Sequence, residues 1–532
     1  MDFAAAWLNS ELQRGGLGQP ALPGYLPHAG AGTDGLMHLI LYEDADLLVV
    51  NKPSGINTHK PDKYAPDGLH EWLLKRGYKL SILHRLDKDT SGVLVFGKST
   101  RTNQSLAKQF EQHKIAKDYL FLSAQRPKRQ RFCEEWPNES TWFEYMEPVG
   151  ENHLIKAQPV TGRTHQIRRH AAIVKFPVLG DTKYGDTPAP RLMLHAHRVT
   201  LTHPATGELV TFEASVPAVF EDLDPLTAAR EFRDLLFDAD TNAYRLVNGA
   251  GDRLPDIIID SYADRLFVQR HTATVAVPAL TGVSVYDQLA TKQQRSAPQL
   301  VAGAPITDRF PVLENGVTYL INFGEGLSTG LFLDQRENRR HLLKLPLAGK
   351  RVLNCFAYTC AFSVAAAKVG AVTTSVDLSR NYLDWGKENF RANGLECGDA
   401  AAAGPTGPKH EFIFGDVFEW LKRFAKRGQQ WDVVLLDPPT FSTTKGGRRF
   451  RAERDYLALA ALAMTVVARG GTLFCSTNQR TLQPEEFEVA IRDAARTAGR
   501  VIVKIDFETL PFDYRLAEGD RAYLKTFWVE LE

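Results

Sequence analysis

The sequence predicts a multi-domain chain: an α+β part with a mixed, mostly antiparallel sheet, then a small α+β part, then an α/β part with a doubly wound parallel sheet. Three observations carry this. The chain has 532 residues, long for one hydrophobic core and ample for two or three. Between about residues 36 and 220, short β-branched runs such as HLILYEDADLLVVNKPSG, SGVLVFGK and YLFLSA alternate with turn residues, as hairpin-rich sheets do. From about residue 326 the pattern becomes strand alternating with helix, through RVLNCF, an Ala-rich helix, AVTTSVD, NYLDWGKENFRANG, EFIFGD, WDVVLLDPP and GGTLFCS.

Each part has its own grounds. Residues 1–35 are rich in Gly, Ala and Pro and read as a loosely packed lead-in. Residues 36–222 form the first domain, ending on the strand pattern HRVTLTHPATGELVTFEAS. Residues 223–325 begin with the charged helical segment EDLDPLTAAREFRDLLFDAD, read as a linker, and continue as strand, turn, strand, turn, strand in YRLVNGAGDRLPDIIIDSYADRLFVQR. Residues 326–532 carry the strand–helix alternation, interrupted by the low-complexity stretch DAAAAGPTGPK, expected as a surface loop. There is no internal repeat.

Bulk composition excludes several classes. A formal net charge of +1 means that any nucleic-acid contact must rest on local basic faces. Five cysteines without a C-x-x-C pair argue against a disulfide framework or a zinc site, and a reducing, cytoplasmic setting is expected. The start lacks the basic and apolar regions of a secretory signal, and no run reaches the roughly 18 apolar residues of a membrane span. A soluble protein with no membrane partner and no obligate protein partner is expected.

In the first domain the informative stretch is His84-Arg85-Leu86-Asp87-Lys88-Asp89-Thr90-Ser91-Gly92. An aspartate between basic neighbours, followed by a Thr-Ser-Gly turn, can be held ionised, as a carboxylate nucleophile must be. Taken alone, Asp87 reads more readily as a turn cap or a surface ion pair. Two further blocks change the balance: Lys117-Asp118-Tyr119, and Pro159-Val160-Thr161-Gly162-Arg163-Thr164-His165-Gln166-Ile167-Arg168. In this order, together with NKPSG, PVLGD-x-x-YGD and LHAHRVTLTHP, they resemble the RluA-type pseudouridine synthases, which isomerise uridine in ribosomal and transfer RNA. The resemblance implies that Asp87 is the catalytic carboxylate, that Tyr119 lies against the flipped base and that Arg168 pairs with Asp87. Each role is physically sensible: a base leaving its stack needs an aromatic face, and a guanidinium fork keeps a carboxylate charged and aimed. No cofactor is implied for this half. Many relatives carry an extra RNA-binding domain that the lead-in is too short to supply, so RNA selection falls to the catalytic surface or to the C-terminal half.

Two other patterns carry nothing. Gly92 to Ser99 matches the phosphate-loop expression G-x-x-x-x-G-K-[ST], but the four intervening residues are a strand rather than a loop of free amides. His165, His170, His195 and His197 lack acidic or cysteine partners at ligand spacing, so no metal is expected.

In the last domain, Val352 to Ser363 is an apolar strand running into small residues at a helix start, where a nucleotide-like cofactor meets the carboxyl edge of a parallel sheet. Asp377, Asp416 and Asp437 close the next three strands; the first suits ribose hydroxyls and the second an adenine amine, while a helix cap is the plain alternative for any one of them. TGLFLDQR, NCFAYT, these acids and DPPTFS resemble the Rossmann-like methyltransferases that modify 23S ribosomal RNA bases, and YRLVNGAGDRLPDIIIDSYAD resembles the small domain preceding their catalytic part. The resemblance implies S-adenosylmethionine as cofactor and a binding set of Gln335, Arg336, Phe356, Tyr358, Thr359, Asp377, Asp416, Asp437 and Pro438. Asp437 is also the catalytic candidate, with Asp437-Pro438-Pro439 presenting the target base. Cys360 stands where these enzymes usually have glycine, which puts the approach of the turn's amides to the cofactor in question.

Chemistry narrows the methylated atom. Carbon 5 of cytosine needs a thiolate to add to the ring first, whereas nitrogen 7 of guanine already carries a lone pair. Thr440, not cysteine, follows the double proline, and Cys475 lies inside the strand GGTLFCSTNQR. These features resemble the guanine nitrogen-7 branch. The expectation is therefore a bifunctional enzyme on RNA, chiefly 23S rRNA, with tRNA open for the first half. Cytosine methylation, or one half serving only as a non-catalytic RNA-binding module, are the alternatives.

Overall fold

Runs of β-branched and aromatic residues separated by turns build a ten-stranded sheet in the first half of the chain. A computed structural model describes residues 38–278, 280, 282–291, 293–325, 328–397, 410–443, 449–517 and 519–532. The expected lead-in (1–35) and the expected loop at 399–409 lie outside the described residues. The chain forms two compact units, residues 1–61 with 67–238, and residues 62–66 with 239–532.

In the first unit the sheet runs Ile40–Glu43, Leu47–Lys52, Ser91–Gly97, Leu194–Thr202, Ala116–Ser123, Asn152–Pro159, Glu139–Val149, Arg131–Trp136. Every neighbouring pair along this path is antiparallel except Ser91–Gly97 beside Leu194–Thr202. Gly92 sits at that parallel crossing with φ +112°, and a Cβ there would meet the Ala196 carbonyl oxygen at 2.2 Å, so only glycine lets the two strands close. The stretch resembling a phosphate loop is thus a buried central strand. Helix Thr100–Glu111 starts where Ser99 accepts the Thr102 N–H, and helix Gln166–Ile173 packs Ile167 and Ala171 against Phe121, Phe143 and Phe176.

The segment read as an interdomain linker is instead part of the first unit. Its helix, Pro225–Asp234, buries Leu226, Ala228, Ala229 and Phe232. Most of the charged residues that suggested a linker lie on its outer face, but Arg233 is fully buried with the apolar ones.

In the second unit the strands Ala243–Asn248, Ile257–Tyr262 and Arg265–Arg270 form an antiparallel meander, to which Ser284–Leu289 adds parallel and Gln299–Ala302 antiparallel. A seven-stranded sheet follows, ordered His410–Phe414, Val372–Asp377, Arg351–Cys355, Trp431–Leu436, Val467–Thr477, Lys525–Leu531, Ile502–Glu508. The first five strands are parallel, as the strand–helix alternation predicts. Lys525–Leu531 is the departure from an all-parallel sheet: it inserts antiparallel to both of its neighbours, Val467–Thr477 and Ile502–Glu508. One hydrophobic cluster, including Tyr262, Phe267, Tyr319, Leu333, Val364 and Phe390, joins the small sheet to the doubly wound one. Among the described residues no helix is long and apolar enough to cross a membrane.

Candidate active sites

Three separated segments of the first unit converge on Asp87. Tyr119 comes from strand Ala116–Ser123, His165 and Arg168 from the start of helix Gln166–Ile173, and Asp87 from the loop before Ser91–Gly97. Arg168 Nη1 lies 3.6 Å from Asp87 Oδ2, and His165 Nε2 lies 3.8 Å from the same oxygen. The expected Arg168–Asp87 pairing is therefore loose, because the fork of the guanidinium is spent elsewhere. Arg168 Nε and Nη2 donate to the two oxygens of Asp181 at 2.7 and 2.8 Å.

Asp181 is the residue that sequence reasoning missed as a site member, although it lies in the PVLGD-x-x-YGD block. Its side chain is fully buried, and it also accepts the N–H groups of Lys183 and Tyr184. Burial raises its carboxyl, but Arg168 and these amides outweigh that and hold it below the ordinary carboxylate range. Arg168 is thereby a fixed cation whose remaining nitrogen faces Asp87. Burial, then the charge of Asp87, push the Tyr119 hydroxyl up, so it stays neutral. His165, at φ +55°, is held by Tyr184, whose hydroxyl lies 3.2 Å from Nδ1. His195 is not available as a base: burial lowers it to about 3, and it lies 2.9 Å from the Ser91 hydroxyl. Among the described residues no group of three His, Cys, Asp or Glu is placed to hold a metal.

In the second unit the predicted residues gather along the carboxyl edge of the parallel strands. The turn after Arg351–Cys355 is coiled by three alternate residues in the left-handed region, Phe356, Tyr358 and Cys360, at φ +62°, +49° and +61°. Asp377 braces it: its oxygens accept the N–H groups of Tyr358 and Ser379, both at 2.8 Å. Each oxygen keeps a further lone pair, which suits two ribose hydroxyls. Exposed Phe332 and Phe414 supply apolar surface near either end of this edge. Thr359 is fully buried and donates to the Gly330 carbonyl, so it shapes the turn rather than offering a hydroxyl outward. Asp416 caps helix Val417–Lys426 through Oδ1, which accepts the Glu419 N–H, leaving the other oxygen for an amine.

Arg336 departs from expectation. It is buried and its guanidinium grips Asp513, whose Oδ2 also accepts the Arg245 N–H. Its donors therefore stitch the small sheet to the site's supporting helix. Gln335 is different: its Nε2 donates to Asp437 Oδ2 at 3.1 Å and to Ser476 at 2.9 Å. Asn338 donates to the Gln335 carbonyl oxygen and accepts from Trp528, so the amide can face only one way. Burial raises Asp437 to about 6 despite the donors from Ser476 and Gln335. Pro438 is buried beside it, and Thr440 donates to Asn478. Cys475 is fully buried in the sheet, and burial pushes its thiol up to about 12.

This donor set fits an S-adenosyl cofactor: an acid for the ribose, an acid for the adenine amine, and a tight turn between them. A sequence profile of the family described as RNA pseudouridylate synthase matches residues 46–172, and one described as S-adenosylmethionine-dependent methyltransferase matches residues 260–515. Among curated proteins, the chain is 34% identical over 309 residues to the putative ribosomal RNA large subunit methyltransferase YwbD of Bacillus subtilis (strain 168), a match covering 55% of this chain and 75% of that protein. It is 34% identical over 292 residues to ribosomal RNA large subunit methyltransferase I of Aeromonas salmonicida (strain A449), covering 52% and 71%. Among solved structures, a putative methyltransferase complexed with SAH shares 27% identity at a TM-score of 0.50, covering 62% of this chain and 86% of that one.

Proposed function

The chain belongs to the S-adenosylmethionine-dependent methyltransferase family and carries an RNA pseudouridylate synthase domain ahead of it, and on that premise we propose that it is a bifunctional enzyme isomerising uridine and methylating a guanine at nitrogen 7 in large-subunit ribosomal RNA. The observation that carries this reading is shared by both units. Each holds a carboxylate aimed by a donor that is itself fixed: Asp87 by Arg168 and Asp181, Asp437 by Gln335 and Asn338.

In the first unit Asp87 attacks the unstacked uridine or its ribose, with the Arg168 guanidinium facing the carboxylate. The bond from base nitrogen to ribose breaks, a bond from carbon 5 to ribose forms, the bond made by Asp87 breaks to return the free carboxylate, and the proton lost from carbon 5 is balanced by one gained at the freed nitrogen. Tyr119, neutral and half-buried, supports the base through its ring.

The cofactor of the second unit is S-adenosylmethionine, which supplies an electrophilic methyl group when bound. Asp377 and Asp416 hold its nucleoside, and Asp437 orients the target base through the oxygen that Gln335 leaves open. Nitrogen 7 of guanine bears no proton, so positioning suffices and the developing positive ring faces a carboxylate. A cytosine reaction would need a thiolate. The buried, hard-to-ionise Cys475 supports guanine, and the same burial argument applies to Cys355 and Cys360.

The test is methyl transfer from labelled cofactor to ribosomal RNA by the full chain, with digestion to nucleosides. Labelled 7-methylguanosine is expected, undiminished in Cys475→Ala; label in 5-methylcytidine, lost in Cys475→Ala, would replace the guanine reading.

A further inference from the structure

We propose that the first unit has a second base-binding position, a groove beside the Asp87 cleft that takes the nucleotide next to the target uridine and favours a base bearing an exocyclic amine. This rests on reading the unit as an RNA-acting synthase. An open cavity of about 760 Å³ lies between the end of helix Thr100–Glu111, the tip of the hairpin formed by Arg131–Trp136 and Glu139–Val149, and the loop at 161–163. That is ample for a nucleotide.

The groove adjoins the reacting site. Its loop wall leads directly into His165 and Arg168, and the Thr161 carbonyl accepts from Lys117 at 3.4 Å. Lys117 and Tyr119 are two apart on one strand and so share a face. The groove is also rigidly built. Gln166, 4% exposed, accepts from Thr161 and from the Arg163 N–H, and donates to the Ser140 carbonyl and the Thr141 hydroxyl, welding the loop to the hairpin.

Its chemistry selects a base edge rather than a phosphate. Trp136 is 43% exposed, so its indole offers an open face on which a base can stack. Its N–H is tied to Glu134 at 3.1 Å and its ring leans on buried His170, 5.8 Å away, so one aromatic face is held ready. Glu139 is occupied by Arg169. Glu111 and Glu135 are exposed and make no ion pair among the described residues. An ionised carboxylate only accepts hydrogen bonds, so it pairs with the amine of cytosine or adenine and repels the carbonyl that uracil presents there. Exposed Arg163 on the loop wall suits the phosphate that joins this nucleotide to the uridine.

The experiment measures binding of the trinucleotides r(CUC), r(AUA) and r(UUU), end-labelled, to the full chain by fluorescence anisotropy, alongside pseudouridine formation in hairpins that differ only beside the target. Wild type should bind r(CUC) and r(AUA) several-fold more tightly than r(UUU). Trp136→Ala should weaken binding roughly tenfold, within the range for one stacked base, with Trp136→Phe close to wild type. The double change Glu111→Gln and Glu135→Gln should erase the preference at an unchanged thermal midpoint. Equal binding of all three by wild type, or no effect of Trp136→Ala, would overturn the proposal. Pseudouridine formation indifferent to the neighbouring base would overturn it too while leaving the synthase reading intact. Base preference with no pseudouridine in any RNA would do the reverse.

Discussion

At the scale of single residues, two carboxylates of the proposed chemistry have opposite electrostatic settings, and each makes a measurable difference. Asp437 is raised to about 6 against an ordinary 3.8. A carboxyl raised on folding adds stability that is complete below its unfolded value and is lost as pH climbs through the folded one. At pH 7.5 the ionised side chain therefore costs the cofactor-free fold up to about 3 kcal/mol. Asp437→Asn should raise the thermal midpoint at pH 7.5, with the gain fading toward pH 4, while methyl transfer is lost; an unchanged midpoint across this range would show that the carboxylate carries no such strain. Asp181 is the converse case, held low by Arg168 and two amides, so its contribution is present at neutral pH and fades as acid protonates it. Asp181→Asn should cost about 1.5–3 kcal/mol at pH 7, the worth of hydrogen bonds to a charged group. It should also slow pseudouridine formation at least tenfold, because Arg168 is then free to turn from Asp87. A variant that unfolds earlier yet keeps its full rate would limit Asp181 to a structural part.

At the scale of elements, much of the architecture was legible, and what was not has physical reasons. Strands such as Leu47–Lys52 and Trp431–Leu436 are apolar runs with clear turn punctuation, and helix Arg380–Ala392 begins where Ser379 accepts an N–H three residues on. The direction of Lys525–Leu531 was not legible, because strand polarity in a sheet is settled by connections rather than by local pattern. Nor were the partners that orient the site: Asp181 is near Arg168 in sequence but meets it through a buried turn, and Gln335 and Asp437 are 102 residues apart. Cys360 shows how a departure from the family pattern is accommodated. It takes the left-handed conformation that favours glycine, and its sulfur occupies the space that a Cβ at Gly386 would need, 2.5 Å away. Gly386→Ala should lower stability and weaken S-adenosylmethionine binding by displacing the turn, and Cys360→Gly in the same chain should restore both, with the new alanine adding about 1 kcal/mol of helix propensity. Calorimetric binding and thermal unfolding of the single and double variants would decide it; a double variant no better than Gly386→Ala would refute the compensation.

At the scale of the whole molecule, the chain joins two units with unrelated sheets, each with its own core and its own carboxylate site. The near-zero net charge leaves RNA recognition to local surfaces, which makes built features such as the Trp136 groove more informative than the overall balance. Nothing in the proposed chemistry of one unit uses a residue of the other, so the two modifications should be separable. The most direct test quantifies pseudouridine and 7-methylguanosine in large-subunit RNA from cells whose only copy of the gene is wild type, Asp87→Asn or Asp437→Ala. The account predicts that Asp87→Asn removes pseudouridine and keeps the methyl mark, and that Asp437→Ala does the opposite. Loss of both marks from either change, or of neither from both, would contradict it.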